Sequence, residues 1–409
     1  MKILIVNFSD IDGGAARAAH RLHKALLTEN IDSKMLVEIK KTNDFTILGP
    51  ENIFDKIIVK FKGIRNKVPL FWYKKPSVFS PSSHTSSNLI KKINSINPDI
   101  VHLHWINAGM LSVKDISKIK APIIWSLHDN WAFTGGCHIM ESCKKYIDNC
   151  GKCPKLNSNS ENDLSRKLWK KKKRSYNKIN NLTIIGLSNW INESSKKSSL
   201  LKNRPHINLP NLINTKIFKP INKSEARNLL NLPLDKKLIL FGAYNSLSDT
   251  NKGFLELTSS LKEIESNVEL VIFGSNQPNE PYNFGFKAHY LGHLHDDISL
   301  VTLYNAADVT VVPSLQENLS NTIMESLSCG TPVVGFNIGG NSDLIEHKAN
   351  GYLAEPFSAK DLAKGIEWVI AKENTMFLSD NARQKVLADF DSNIVAKEYI
   401  KLYKKILKQ

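Results

Sequence analysis

Two carboxylates eight residues apart, Glu317 and Glu325, stand in a stretch whose flanks are unlike those of an ordinary surface helix. It runs Glu317-Asn318-Leu319-Ser320-Asn321-Thr322-Ile323-Met324-Glu325 and is entered from Val311-Val312-Pro313-Ser314, the end of an apolar run. It leaves through Cys329-Gly330-Thr331-Pro332-Val333-Val334, where Gly330 stops a helix and Pro332 opens the next strand. One carboxylate therefore falls in a loop after a strand, the other inside the helix that follows. Shortly after comes Phe336-Asn337-Ile338-Gly339-Gly340-Asn341, a glycine turn between a strand and a helix. Unpaired N–H groups and a positive dipole end at such a turn suit an anion, and a diphosphate is the natural guest.

These groups must be held by something, and the rest of the chain says what. Near-continuous apolar runs at 2–7, 98–104, 122–127 and 182–187 read as buried strands, and 15–27 as a helix with one apolar face. The pattern restarts at 237–242, 268–274, 309–313 and 331–336. Strands of this kind alternating with helices predict parallel sheets covered on both faces. At 409 residues the chain is long enough for two such domains. The expected division is a domain over 1–208, a linker with two prolines over 209–221, a second domain over 222–392 and a closing helical segment over 393–409. That last helix, from about 394 to 407, is placed to cross back and brace the first domain. Ligands of doubly wound folds bind at the carboxyl ends of strands, which is where the carboxylates sit.

The segment 317–334 resembles the Glu-x7-Glu signature of family 4 of the retaining glycosyltransferases. The resemblance implies the α/β fold called GT-B, two Rossmann-like domains whose parallel sheets face each other across a cleft. It covers most of the chain and is strongest at 125–156 and 309–355. Carried over, Glu317 lies close to the transferring sugar and Glu325 holds the ribose hydroxyls of the nucleotide. Asn318, Leu319 and Ser320 join the donor loop, and Gly339 and Gly340 take the diphosphate. The family also places an Arg and, five residues later, a Lys-Gly after the first strand of the donor domain. Lys252-Gly253 is present here, but Leu247 occupies the Arg position, so the second phosphate contact passes to Asn245, Ser246 or a backbone amide.

In the first half, Trp125-Ser126-Leu127-His128-Asp129-Asn130-Trp131-Ala132-Phe133-Thr134-Gly135-Gly136-Cys137-His138 is similar to the His-Asp segment of the same family. Its closer likeness is to the branch that makes colanic acid and related surface polysaccharides. His128 is then a catalytic-site residue beside Glu317, bonded to a donor-sugar hydroxyl. His102, His104 and Trp105 have no carboxylate among them and read as cleft lining. By the same resemblance, Gly13 and Gly14 are expected to let the backbone approach acceptor and donor, and Arg17 to meet an acceptor phosphate. That loop lacks the spacing of a dinucleotide fingerprint, which argues against NAD. The resemblance implies that no cofactor is needed for the chemistry, only a nucleotide-sugar co-substrate, and that the acceptor is a lipid-linked or growing saccharide. A sugar-nucleotide epimerase or phosphorylase on the same fold, and a non-catalytic basic binding protein, are the alternatives.

Charge adds a location. The net charge is +16, yet through Pro205 the chain has 35 Lys+Arg against 16 Asp+Glu, and beyond it 20 against 23. Basicity confined to one half points to an anionic partner for that half. With no export signal legible and no nucleic-acid-binding motif, the expected partner is the anionic inner face of the plasma membrane, reached from the cytoplasm. The densest run, 166–176, sets Trp169 and Tyr176 among lysines and arginines, which suits either a headgroup-bound helix or a solvated one. Finally, Cys137, Cys143, Cys150 and Cys153 bring four of the five cysteines into 17 residues. In a reducing compartment that spacing admits a structural zinc, free thiols or, less readily, disulfides.

Overall fold

A computed structural model describes residues 1–408 apart from 75, 83–86, 243–248, 281 and 295. The stretch 243–248, with Asn245, Ser246 and Leu247, thus lies outside the described residues. The chain divides into two compact units, Met1–Asn211 with Ala396–Gln409, and Leu212–Val395.

The first unit is built on β1 (Lys2–Val6), β2 (Asp32–Leu36), β3 (Ile47–Leu48), β4 (Ile100–Leu103), β5 (Ile123–Leu127), β6 (Leu182–Gly186) and β7 (His206–Asn208). They form one parallel sheet in the order β3-β2-β1-β4-β5-β6-β7. The second unit holds β8 (Lys237–Gly242), β9 (Val268–Phe273), β10 (Ala288–Tyr290), β11 (Val309–Val312), β12 (Val333–Phe336) and β13 (Gly351–Ala354). Their order is β10-β9-β8-β11-β12-β13, again all parallel. The apolar runs expected as strands all form strands. Those not foreseen (β2, β3, β7, β10 and β13) include the short edges of both sheets and carry fewer consecutive apolar residues.

In each sheet the order reverses between the first strand and the fourth, so each unit has a switch point, β1/β4 in one and β8/β11 in the other. At a switch point, loops from adjacent strands diverge to opposite faces and leave a crevice at the carboxyl ends. The central strands are sealed on both sides: Leu4, Val101, Ile124 and Ile184 in the first unit, and Ile239, Val309 and Val334 in the second, have no exposed surface.

The linker is not free chain. Phe218 is buried, and its carbonyl accepts from Ser328 Oγ at 2.7 Å and Arg383 Nη1 at 2.6 Å. The closing segment belongs with the first unit: in helix Ser392–Leu407, Tyr403 Oη meets His102 Nδ1 at 2.8 Å and Tyr399 Oη donates to the Pro210 carbonyl at 3.2 Å.

Candidate functional site

The switch point of the second sheet assembles most of the carboxylate and cation chemistry. The loop 313–320 leaves β11 and enters helix Asn321–Ser328, capped by Ser320, whose Oγ accepts from the Ile323 N–H. Glu317 sits half-exposed in that loop, and Lys252 Nζ approaches its Oε2 at 3.4 Å. The negative charge of Glu317 is the main reason Lys252 holds its proton more tightly than a free lysine. Sequence reasoning named both residues but not the one that joins their loops. Asn251 Nδ2 donates to the Gln316 carbonyl at 2.8 Å, and its Oδ1 accepts from the Gln316 N–H at 3.1 Å. The Leu315 N–H adds a bond to the Asn251 carbonyl at 2.9 Å. Gly253 follows at φ +73°, so close to Pro313 that a Cβ would lie 1.8 Å from its carbonyl oxygen.

Gly339 and Gly340 arrive from β12 on the same loop. Gly339 has φ +53°, and a Cβ there would stand 1.9 Å from the Glu317 carbonyl oxygen. The Gly340 N–H donates to that oxygen at 3.2 Å, and the Asn341 N–H to the Ile338 carbonyl at 3.1 Å. The helix beyond, Asn341–Leu344, is four residues long. The expected cradle of free N–H groups is thus partly spent on fixing the Glu317 backbone, and so short a helix has little dipole to offer. Asn341 was not singled out from the sequence: it is fully buried, donates to the Phe336 carbonyl at 2.9 Å, and leaves Oδ1 without a hydrogen bond among the described residues. Asn318 is half-exposed, whereas Leu319 and Ser320 are buried.

Glu325 is only 4% exposed, and its Oε2 accepts from Tyr304 Oη at 2.9 Å. A carboxylate inside a helix that packs on its neighbours is desolvated, and such a group needs hydrogen bonds in place of water. Burial, followed by the charge of Glu325, pushes the Tyr304 phenol well above its ordinary range, so it remains a donor.

In the first unit, His128 follows β5 and His104 follows β4. Their Nε2 and Nδ1 atoms lie 2.8 Å apart, with ring centroids at 5.1 Å. Burial lowers the His128 pKa to about 4, against the charge of Asp129, and holds His104 well below its ordinary value. Both rings are therefore neutral near pH 7, one donating and the other accepting. They line a recess of about 210 Å³ with Trp105, Asp129 and Trp131. His104 Nε2 has no hydrogen bond among the described residues. The sequence grouped His102 with the lining and saw no carboxylate nearby. Instead His102 is fully buried, between Tyr403 Oη and Ser126 Oγ. Asp129 joins Trp105, accepting from its Nε1 at 2.9 Å; it also accepts from the Trp131 N–H at 2.8 Å and lies 2.6 Å from His138 Nδ1. Burial alone would raise the Asp129 pKa, but the charge and bond of His138 and the other donors bring it below the usual value. Gly13, at φ +88°, and Gly14 are exposed, with nothing within 4 Å of a Cβ on Gly13. Arg17 is half-buried one turn into helix Gly14–Thr28.

The four clustered cysteines line one partly open pocket as free thiols. Among the described residues, no group of three or more His, Cys, Asp or Glu side chains is arranged to hold a metal ion. Burial pushes the Cys137 and Cys150 thiols up to about 12. Beside them Lys172 is wholly buried, donating to the carbonyls of Trp131 and Thr134 and lying 3.5 Å from the Trp131 ring centroid. Helix Leu164–Tyr176 therefore turns Trp169 and Tyr176 into the core and not toward headgroups. Among the described residues, no helix is long and apolar enough to cross a membrane.

Residues 222–385 match the family described as glycosyl transferases group 1. Over 206 residues the chain is 32% identical to the N,N'-diacetylbacillosaminyl-diphospho-undecaprenol alpha-1,3-N-acetylgalactosaminyltransferase of Campylobacter jejuni, covering 48% of this chain and 53% of that protein, about half its length. The putative colanic acid biosynthesis glycosyl transferase WcaC of Escherichia coli is 22% identical across 87% of this chain and 88% of its own. Among solved structures, sucrose-phosphate synthase from Thermosynechococcus elongatus superposes over the whole of both chains with a TM-score of 0.68 at 18% identity. Anabaena HepE in complex with UDP and glucose does so over 99% of this chain and 100% of its own, with a TM-score of 0.67 at 15% identity. The fold is that of the GT-B glycosyltransferases, and residues 222–385 of this chain are a glycosyl transferases group 1 domain.

Proposed function

We propose that this chain is a retaining glycosyltransferase that moves a sugar from a nucleoside-diphosphate donor to a lipid-linked or growing saccharide, in the making of a surface polysaccharide. The observation that carries the reading is the Lys252–Glu317 pair at the β8/β11 switch point, with the buried Glu325 eight residues on. In this reading the second unit holds the donor: Glu325 takes the ribose hydroxyls, Lys252 the departing diphosphate, and Glu317 the sugar. His128 bonds a hydroxyl of the sugar as a neutral imidazole. The bond from the anomeric carbon to the diphosphate oxygen breaks as the acceptor oxygen bonds to the same face. The acceptor proton passes to a diphosphate oxygen, so no enzymic nucleophile is required. Positive charge at the sugar and negative charge on the leaving group are met by fixed groups, the electrostatic contribution that dominates such sites. The names of relatives support the substrate class: one acts on a diphospho-undecaprenol acceptor, and one structural neighbour holds UDP and glucose. We place the protein on the inner face of the plasma membrane.

A panel of UDP-, GDP- and ADP-sugars with lipid-linked saccharide acceptors, followed by nucleoside diphosphate release, tests this. Acceptor-dependent release with retained anomeric configuration is expected. Epimerisation of a donor without acceptor, or donor binding with no release on any acceptor, would replace the reading with one of its alternatives.

A further inference from the structure

Helix Ile53–Lys67 is inside out. Of its fifteen residues only Asn66 is buried. Ile53, Phe54, Ile57, Ile58, Phe61 and Ile64 are all exposed, Phe54 by 73% and Phe61 by 66%. At 100° per residue these six fall within an arc of about 140°, a single apolar stripe. The opposite face carries Asp55, Val59, Lys62, Gly63 and Asn66, and that face meets the protein. Lys62 Nζ pairs with Glu38 at 2.9 Å, and the backbone at Lys62 and Gly63 lies so near Gly109 that a Cβ on Gly109 would stand 2.7 Å from the Lys62 carbonyl oxygen. The turn Val68–Trp72 continues the exposed face with Phe71 at 80% and Trp72 at 86%. Soluble surfaces seldom leave so many large apolar side chains contiguous and uncovered.

We propose that this face docks on an anionic lipid surface. The chemistry of its rim selects the occupant. Lys56, Lys60 and Lys67 lie along one edge of the stripe and Arg65 along the other, all exposed. Cations with long apolar stems can reach headgroups while the stripe enters the acyl boundary, and Trp72 suits the same depth. A second copy of the chain would bring an identical cationic rim against this one, which like charges oppose. The proposal deepens the membrane part of the proposed function. It also relocates the contact, since helix Leu164–Tyr176 keeps its aromatics in the core. It rests on no step of the transfer chemistry.

The test is flotation of the full chain with vesicles of phosphatidylcholine alone and of phosphatidylcholine with about one-third phosphatidylglycerol. The wild type should bind the anionic vesicles, with a blue shift of tryptophan emission, and bind less as salt rises. Phe54→Glu with Phe61→Glu should lower binding by at least about 10-fold, as expected when apolar anchors become charged. Both side chains face solvent, so thermal melting should stay at the wild-type value. Lys170→Glu with Lys171→Glu, on the other basic helix, should cost less than about 3-fold, the cost of lost surface charge alone. Turnover with a water-soluble acceptor should be unchanged in both pairs, so a failed transferase reading and a failed docking face show up separately. Wild-type binding by the phenylalanine pair would overturn the proposal. So would a wild-type dimer that this pair dissociates while neither form binds vesicles.

Discussion

Lys252 Nζ lies 3.4 Å from Glu317 Oε2, and the two loops that carry them are tied together by both ends of one side-chain amide, that of Asn251. The pair is therefore set by the backbone and not by the reach of a flexible lysine, as electrostatic preorganisation requires.

Removing either member of the pair should act on turnover. Lys252→Ala is expected to lower kcat by roughly 10²–10³, the usual loss for one transition-state contact of this kind. Asn251→Ala leaves both charges in place but frees the loop, and should cut kcat by a smaller factor, about 10-fold. Steady-state kinetics beside a thermal melt checks this; an Asn251→Ala enzyme with wild-type kcat would show that the clamp does not matter.

Glu325 should matter to stability as well as to binding. Glu325→Ala leaves the buried Tyr304 hydroxyl without this partner, a loss of about 1–3 kcal/mol. Nucleotide affinity should fall by roughly 10- to 100-fold if the carboxylate also holds the ribose. Tyr304→Phe should reproduce much of the stability loss with little change in affinity. Urea denaturation and calorimetry on the two variants separate the roles.

Gly339→Ala places a Cβ against the Glu317 carbonyl at a left-handed φ. Glu317 must shift, and a displacement of about 1 Å near the chemistry can cost on the order of 10² in rate. The expected result is a large fall in kcat at a modest cost in melting temperature. Wild-type turnover in Gly339→Ala would mean that the position of Glu317 is not critical.

Stability should fall on mild acidification. Burial takes His128 to about 4 and His102 to about 3, against about 6.5 in the unfolded chain. Below pH 6.5 the unfolded chain therefore binds protons that the folded one refuses, and stability drains away until the folded values are reached. For the fully buried His102 the loss from pH 7 to pH 4 is on the order of 3 kcal/mol. Urea midpoints should drop between pH 7.5 and pH 5, and His102→Gln should flatten that slope.

The cysteine cavity predicts slow thiols. With Cys137 and Cys150 pushed up to about 12, little thiolate exists at pH 7.5, and labelling by iodoacetamide should be far slower than in urea. Acceleration by a chelator in the folded chain would instead reveal a metal holding the sulfurs.

Much was legible before any coordinates. The strands flanking Glu317, the helix carrying Glu325 and the division into two α/β units follow from local patterns: apolar runs, Gly330 as a stop, prolines as starts. These are short-range constraints on the backbone, which neighbours in sequence are enough to impose. Residue type and clustering singled out the cysteines, and the family resemblance singled out Lys252 and His128. What the sequence could not supply was direction. Whether Glu325 meets solvent or Tyr304, whether Asp129 serves His128 or Trp105 and His138, and which basic helix shows its aromatics outward all depend on partners far away in the chain. Lys-rich composition marked 166–176 as the surface run, yet packing buries Trp169 there and leaves Phe61 bare elsewhere. A side chain's exposure is fixed by what lands on it, and that is decided only when the sheets and helices assemble.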